Sequence, residues 1–139
     1  MFKNFCFLLI PLFGFLQISA QNPSVYFSNN QIEISYTKAD CNDVANGIFK
    51  QYLLLQVKNL TSEPLKVSFK KELWYNDKCT NCDSNSPEHI SVIELQPGAT
   101  EMASCENKDK TLKIFLKMLN LQSSVLTKFE LKNITINHQ

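Results

Sequence analysis

Four cysteines are the residues of this chain whose type and spacing could do chemistry, namely Cys41, Cys79, Cys82 and Cys105. Cys79 and Cys82 form a CxxC pair, a spacing that occurs in redox dithiols, zinc sites, heme attachment sites and structural disulfides. Each of these uses needs different neighbours, so the residues around the pair discriminate between them.

The neighbours of the CxxC pair favour a structural disulfide. A thioredoxin-like dithiol places its first cysteine at the start of a helix, but the Asp-Ser-Asn-Ser-Pro run after Cys82 predicts a loop. Asp77 and Asp83 place carboxylates beside the pair, which disfavours a thiolate. A second CxxC for zinc is missing, and Asp83 stands where heme attachment needs histidine. We therefore predict two structural disulfides, no metal and no cofactor; the alternative is a thiol-disulfide redox protein that uses Cys79 and Cys82.

Residues 1–20 predict a cleavable secretory signal. Lys3 supplies the basic start, an apolar stretch follows, and the polar exit ends at Ala20, after which we expect cleavage. The apolar stretch is shorter than the about 20 residues that a membrane-spanning helix needs, and no cysteine comes directly after it for lipid attachment. We expect an exported protein, periplasmic or extracellular, with no membrane span after signal cleavage.

The charge composition argues against a nucleic-acid partner. The chain has 14 lysines and no arginine, and without Lys3 the remaining lysines are balanced by 13 acidic residues. It therefore lacks the net positive charge that would attract a nucleic acid from a distance. It also lacks arginine, whose guanidinium group dominates recognition of phosphate and guanine. Residues 21–139 suffice for a single domain whose core buries roughly two-thirds of the unfolded surface.

Alternation of apolar and polar residues predicts an all-β fold. Segments 32–37 and 65–70 alternate with period two, and the more continuously apolar segment 49–58 fits a central strand. The remaining predicted strands are 90–95, 100–105, 112–118 and 128–137. We expect one shared core lined by Leu53, Leu55, Val57, Val67, Phe69, Ile114, Leu116, Phe129 and Leu131.

Two of these segments are irregular. Segment 112–119 also fits a helical stripe, and we favour a strand because every neighbouring element is β. In the last strand the apolar phase slips between Leu131 and Ile134. This slip predicts a bulge near Lys132 or Asn133 that re-aims the side chains.

About seven strands separated by turn signals indicate a two-sheet antiparallel sandwich. The strand-turn-strand phrase 57–67 and the phrase Leu95-Gln96-Pro97-Gly98 resemble those of small exported bacterial immunoglobulin-like or fibronectin-type domains, over residues 32–137. This resemblance implies an immunoglobulin-like β-sandwich. The chain departs from true immunoglobulin domains because its second and sixth strands carry no cysteine, although Trp74 on the third strand matches.

An up-and-down order of strands would gather all four cysteines at one pole of the sandwich. The sequence allows three disulfide pairings. If the first, second and fifth strands are neighbours in one sheet, Cys41 pairs with Cys105 and Cys79 with Cys82, a pairing that we favour slightly over its rivals.

The loops at that pole, 40–47 and 76–89, form the candidate functional end, because long ordered loops are disproportionately functional. The candidate partner-binding residues are Trp74, Tyr75, Asp77 and Asp83. Period-two geometry sends Trp74 and Tyr75 to opposite faces, and an exposed aromatic there would be a natural anchor for a partner. We predict a non-catalytic binding or structural module, with an unknown protein or surface ligand as its partner.

Other polar motifs give weaker signals. His89 and His138 lack a nucleophile partner and are expected at the surface. Segment 40–47 resembles a calcium loop in composition, but Val44 occupies the place of an oxygen ligand. The triplets that begin at Asn59 and Asn133 match the glycan acceptor pattern, which matters only in a eukaryotic secretory pathway. The sequence therefore predicts no enzyme.

Overall fold

The computed structural model describes residues 22–139, and the predicted signal peptide lies outside the described residues. Within this range the protein is an all-β, two-sheet antiparallel sandwich, as predicted. Sheet I contains β1 (Ser24–Ser28), β2 (Ile32–Asp43), β3 (Ile48–Asn59), β7 (Thr100–Met102) and β8 (Lys113–Met118). Sheet II contains β4 (Leu65–Tyr75), β5 (Lys78–Cys79), β6 (Ile90–Leu95) and β9 (Leu126–His138).

Each sheet is built around one long central strand. In sheet I, β3 pairs with β2 along its whole length, and β2 pairs in turn with β1. In sheet II, β4 pairs with β9 along one side and with β6 and then β5 along the other. β3 has the most continuously apolar sequence, as predicted for a central strand, whereas β4 keeps a period-two alternation because its outer face carries polar side chains.

The core lies between the inner faces of β3 and β4. Leu55, Val57 and Val67 are fully buried, and Phe69 is nearly so. Seven of the nine side chains predicted for the core lie in it, and the other two, Leu116 and Phe129, are partly buried and pack against it. The period-two alternation of both strands therefore faces the way the sequence indicates.

The β2–β3 hairpin is longer than predicted. Segment 40–43 was expected in a loop, but it continues β2, so that Asp43 stands opposite Ile48. A 3-10 turn, Val44–Asn46, closes the hairpin, and Gly47 ends it with a positive φ of 64°. Backbone pairing with β3 outweighs the polar composition of segment 40–43, because each paired residue satisfies its own N–H and C=O groups.

β7 and β8 occupy one position beside β3 and not two. β7 pairs with residues 56–58 of β3, and β8 pairs with residues 50–54 of the same strand edge. Between them the chain leaves the sheet as a loop, residues 103–112, which we call the crossing loop. The fifth predicted strand consequently ends at Met102 instead of Cys105.

Two irregular elements are as predicted, and two short strands were not foreseen. Residues 113–118 form strand β8 and not a helix. β9 contains the predicted bulge, because Thr135 pairs with Ser68 while Lys132 pairs with Lys70, and Asn133 between them has a φ of 54°. The unforeseen strands are β1, whose apolar run is too short to alternate, and the two-residue β5. Over residues 22–139, no helix is long and apolar enough to cross a membrane.

Candidate functional site

Both predicted disulfides are present, with the pairing that the sequence favoured. The Cα atoms of Cys41 and Cys105 are 5.2 Å apart, and those of Cys79 and Cys82 are 5.8 Å apart. Cys41 lies opposite Lys50 near the start of β3, and Cys79 lies opposite Trp74 near the end of β4. Both bonds therefore lie toward the same end of the sandwich, away from the β3–β4 turn.

The Cys79–Cys82 loop completes the edge of β4. Its Asn81 is buried; the side-chain Nδ2 donates to the Lys71 carbonyl at 2.7 Å, and Oδ1 accepts from the Leu73 N–H at 2.9 Å. The Thr80 N–H also donates to the Leu73 carbonyl, at 2.9 Å. These bonds satisfy the backbone of β4 where β6 no longer covers it, which gives the short disulfide a structural role.

The geometry around this disulfide differs from that of a thioredoxin-like dithiol. Cys79 ends the short strand β5, and the residues after Cys82 form a turn and a loop up to the 3-10 turn Pro87–His89. Over the described part of the chain, no helix starts at either cysteine. The dipole that lowers a thiol pKa at a helix start is therefore missing from this loop.

A buried lysine that the sequence analysis missed lies beside the CxxC loop. Lys71 on β4 points inward and is 8 % exposed. Its Nζ donates to the carbonyls of Lys110 and Thr111 in the crossing loop, at 2.9 and 2.8 Å. The signal was available in the sequence, because Lys71 takes the next inward position after Val67 and Phe69.

Burial shifts the protonation of two side chains here. Desolvation lowers the pKa of Lys71 from 10.5 to about 8, and the carboxylate of Asp109 opposes that shift. Desolvation also raises the pKa of Tyr75 to about 12, with a further contribution from Tyr52. Hydrogen bonds from Thr111 hold the pKa of the exposed Asp109 below its usual value. Lys71 is therefore a cation at neutral pH, held by backbone carbonyls and not by a close ion pair.

A cleft opens beside Lys71 between the edges of the two sheets. We call it the Lys71 cleft; it has a volume of about 490 Å³ and is bordered by β4, the 3-10 turn, the crossing loop and β8. Tyr75 and Phe115 stack at 6.3 Å between ring centroids and form its apolar wall. His89 and Lys113 contribute polar groups. The arrangement combines one buried cation with an apolar wall, which suits a small ligand that carries an acceptor group.

The four residues predicted for partner binding lie in different settings. Trp74 is half-buried on the outer face of sheet II, where Lys128 Nζ lies 4.3 Å from the ring centroid. Tyr75 points inward, and its hydroxyl donates to the Phe115 carbonyl at 2.7 Å. Asp77 and Asp83 are exposed in segment 76–89, which β5 and the 3-10 turn partly order.

The histidines and the calcium-like segment have ordinary local roles. His89 is half-buried in the Lys71 cleft instead of lying at the open surface. His138 is exposed and contacts Glu63 Oε2 at 2.8 Å. Asp43 accepts hydrogen bonds from Asn46, and Asp40 accepts one from Gln51. Over residues 22–139, no cluster of three or more His, Cys, Asp or Glu side chains is placed to hold a metal ion.

The two glycan acceptor triplets lie in very different surroundings. The Asn59 side chain is fully buried, and its amide donates to the carbonyls of Glu63 and Gln96 while its Oδ1 accepts from Thr61. Asn59 is therefore a turn-forming residue that cannot accept a glycan in the folded protein. Asn133 is exposed at the β9 bulge.

Comparisons of the chain with protein-family models, with curated proteins and with solved structures each find no match. The fold and the site thus define the class of protein: an antiparallel β-sandwich module with two disulfides and a cleft at their end. The predicted resemblance to immunoglobulin-like or fibronectin-type domains rests on the sequence phrases and the two-sheet fold.

Proposed function

We propose that the chain is an exported, non-catalytic binding module and that the Lys71 cleft holds its ligand. The observation that carries this proposal is the buried ammonium group of Lys71 beside an open cleft. Burying a charge is unfavourable unless it is well compensated, and Met or Leu would fill the same inward position at lower free energy. A ligand that binds the ammonium group of Lys71 would explain why a lysine occupies this position.

The hydrogen bonds of Lys71 suggest the ligand's chemistry. A protonated amine has three N–H groups, and the described residues accept two of them through the carbonyls of Lys110 and Thr111. The third N–H is available to an acceptor in the cleft, and a carboxylate forms the strongest such bond. Tyr75 and Phe115 would contact an apolar body attached to that carboxylate.

The proposed export rests on the two disulfides together with the predicted signal. Disulfides persist in oxidising compartments and are rare in the cytosol. The disulfides also reduce the conformational freedom of the loops, so less entropy is lost when a ligand binds. Titration of free thiols in protein purified from the compartment to which it is exported would test this, and four unreactive cysteines are expected.

The ligand proposal is tested with a matched pair of probes. Benzoate and benzamide share an apolar ring, but only benzoate carries a charge. Titration of ¹⁵N-labelled protein should show shifts around the Lys71 cleft with benzoate and much smaller shifts with benzamide. Lys71→Met should abolish the benzoate shifts, while Lys38→Met, which removes an exposed charge elsewhere, should leave them unchanged. Equal binding by the two probes or by both variants would refute the proposed ligand class.

Three further variants test the predicted partner-binding residues separately. Trp74→Ala, Asp77→Ala and Asp83→Ala are each made with both disulfides intact. Unchanged benzoate binding in all three would confine recognition to the cleft, and a loss with Trp74→Ala would extend it to the outer face of sheet II.

The alternative function is a thiol-disulfide protein that uses Cys79 and Cys82. Its support is that both cysteines lie in a loop that is only partly buried. A labile pair would be reduced by mild dithiol reagents while the Cys41–Cys105 bond stays oxidised. Resistance of the Cys79–Cys82 bond under the same conditions would remove this alternative.

A further inference from the structure

Strand β6 forms an open edge of sheet II. It pairs with residues 65–70 of β4 along one side. Over the described part of the chain, no hydrogen bond reaches the other backbone edge of Val92, Ile93 or Glu94, whereas the Ser91 hydroxyl donates to the Thr111 carbonyl of the crossing loop at 2.6 Å. An unpaired strand edge is a template for a further strand.

Two other long edges of the sandwich, those of β9 and β8, are protected. On β9, the Leu131 N–H donates to the Tyr26 hydroxyl at 2.8 Å, and the bulge at Asn133 interrupts the edge. On β8, the Met118 N–H donates to Ser123 Oγ at 3.0 Å, and the Phe115 carbonyl accepts from Tyr75. β1 is short and has its own register irregularity.

β6 lacks every one of these protections. Its sequence, Ile-Ser-Val-Ile-Glu-Leu, contains no lysine, proline or glycine, and its pairing with β4 is regular. Ile90 is 46 % exposed and Val92 is 48 % exposed on the outer face. Natural proteins usually protect such edges with lysines, prolines or bulges, and Glu94 is the one charged residue of β6, so this weakly protected edge points to a partner strand.

The groove next to this edge is acidic. It lies between β6 and β7 and has a volume of about 310 Å³. The charged residues that line it are Glu94, Glu101 and Asp109, and all three are acidic. Met102 beside them is 57 % exposed. Glu94 already pairs with Lys66 of β4 at 3.9 Å, so Glu101 and Asp109 are the carboxylates that a strand with basic side chains would neutralise, whereas a second copy of β6 would bring no basic residue to them.

We propose that the β6 edge binds an extended segment of a partner protein in which apolar and basic residues alternate. The segment adds a strand to sheet II through backbone hydrogen bonds. Its apolar side chains pack beside Ile90 and Val92, and its basic side chains reach the acidic groove. This surface adjoins the Lys71 cleft through Asp109 and Thr111, but it is independent of the proposed carboxylate ligand.

The test uses a synthetic peptide of about eight residues, a typical strand length, in which lysine and valine alternate. Its control has glutamate in place of each lysine. The lysine peptide should bind the intact protein and slow amide hydrogen exchange in β6 but not in β9, and added salt should weaken the binding. The glutamate peptide should bind at least about tenfold more weakly.

Variants locate the binding surface. Val92→Lys adds a charge to the exposed side of β6 and should weaken binding of the lysine peptide at least about tenfold. Val25→Lys makes the same change at an exposed position of β1 and should leave it unchanged. Glu101→Gln should weaken binding without changing the fold, which the amide spectrum of the free variant reports.

Several results would overturn the proposal. These are no binding of the lysine peptide, equal binding of both peptides, exchange slowed at another edge, or an equal effect of Val92→Lys and Val25→Lys. Self-association of the protein that Val92→Lys abolishes would instead assign the edge to a second copy of the chain.

Discussion

At the scale of single residues, Lys71 is the point where the inner face of β4 departs from its hydrophobic pattern. Its ammonium group links β4 to the crossing loop through two carbonyls. The link is favourable as a pair of charge-assisted hydrogen bonds, but it keeps a charge out of water. Because burial disfavours the charged amine, the contribution of Lys71 to the free energy of unfolding depends on pH.

The stability of the protein should rise with pH relative to that of Lys71→Met. The pKa of Lys71 is about 8 in the folded protein and 10.5 in its ordinary state, so between these values the unfolded chain binds more protons. The free energy of unfolding then increases with pH, by up to about 3 kcal/mol across the window. Urea unfolding of both proteins from about pH 7 to about pH 10 measures the difference.

The control for this prediction is Lys38→Met, whose side chain is exposed. Its stability relative to the wild type should not change across the same range. A pH-independent difference for Lys71→Met as well would mean that the Lys71 amine is as well solvated as an exposed one.

The core makes a second prediction for a single residue. Leu55 is fully buried between the sheets, so Leu55→Ala should lower the free energy of unfolding by about 2–5 kcal/mol. Val25→Ala on β1, where the side chain is 59 % exposed, should change it by less than about 0.5 kcal/mol. Chemical denaturation of the two variants gives both values, and a loss for Leu55→Ala as small as for Val25→Ala would contradict the facing of β3.

At the scale of elements, the CxxC segment acts as a short substitute strand. β6 covers β4 only as far as Lys70, and the side chain of Asn81 then takes over the pairing at Lys71 and Leu73. The Cys79–Cys82 bond restricts the loop that holds Asn81 in this position. This structural role accounts for a CxxC pair at this place in the fold.

Asn81→Ala should destabilise the protein by about 1–3 kcal/mol, because it leaves buried backbone groups of β4 without partners. Asn85→Ala, in the exposed part of the same loop, should cost less than about 0.5 kcal/mol. Thermal or urea unfolding distinguishes the two variants. Equal effects would show that water replaces the Asn81 amide at the edge of β4.

At the scale of the whole molecule, the two disulfides constrain the chain unequally. Cys41–Cys105 joins residues 64 apart in sequence and fixes the crossing loop to β2, whereas Cys79–Cys82 joins residues 3 apart. In the chain-entropy account a longer closed loop removes more freedom from the unfolded chain. The long-range bond is therefore the main covalent contribution to stability.

Replacing Cys41 and Cys105 together with serine should lower the stability by about 4 kcal/mol, and the same change at Cys79 and Cys82 by about 2 kcal/mol. Urea unfolding of the two double variants under oxidising conditions tests the order. A larger loss from the Cys79–Cys82 variant would mean that local order around Asn81 outweighs chain entropy.

Local patterns in the sequence were sufficient to predict most of the sandwich. Period-two alternation fixes which side chains of a strand share a face, so the core side chains of β3, β4, β8 and β9 and the bulge near Asn133 were predicted correctly. The disulfides followed from the compartment that the predicted signal implies, because oxidised cysteines persist there.

Only the tertiary structure decided where the crossing loop leaves sheet I and which residues it brings together. β7 and β8 lie along the same edge of β3, and the crossing loop leaves the sheet between them. The loop is joined to Cys41 by a disulfide and to Lys71 by a hydrogen bond. These contacts join residues far apart in sequence, so no local periodicity encodes them. The cleft at Lys71 and the open edge of β6 depend on such contacts, and the capping by Asn81 depends on how its loop folds back onto β4, so strand periodicity could not place any of the three.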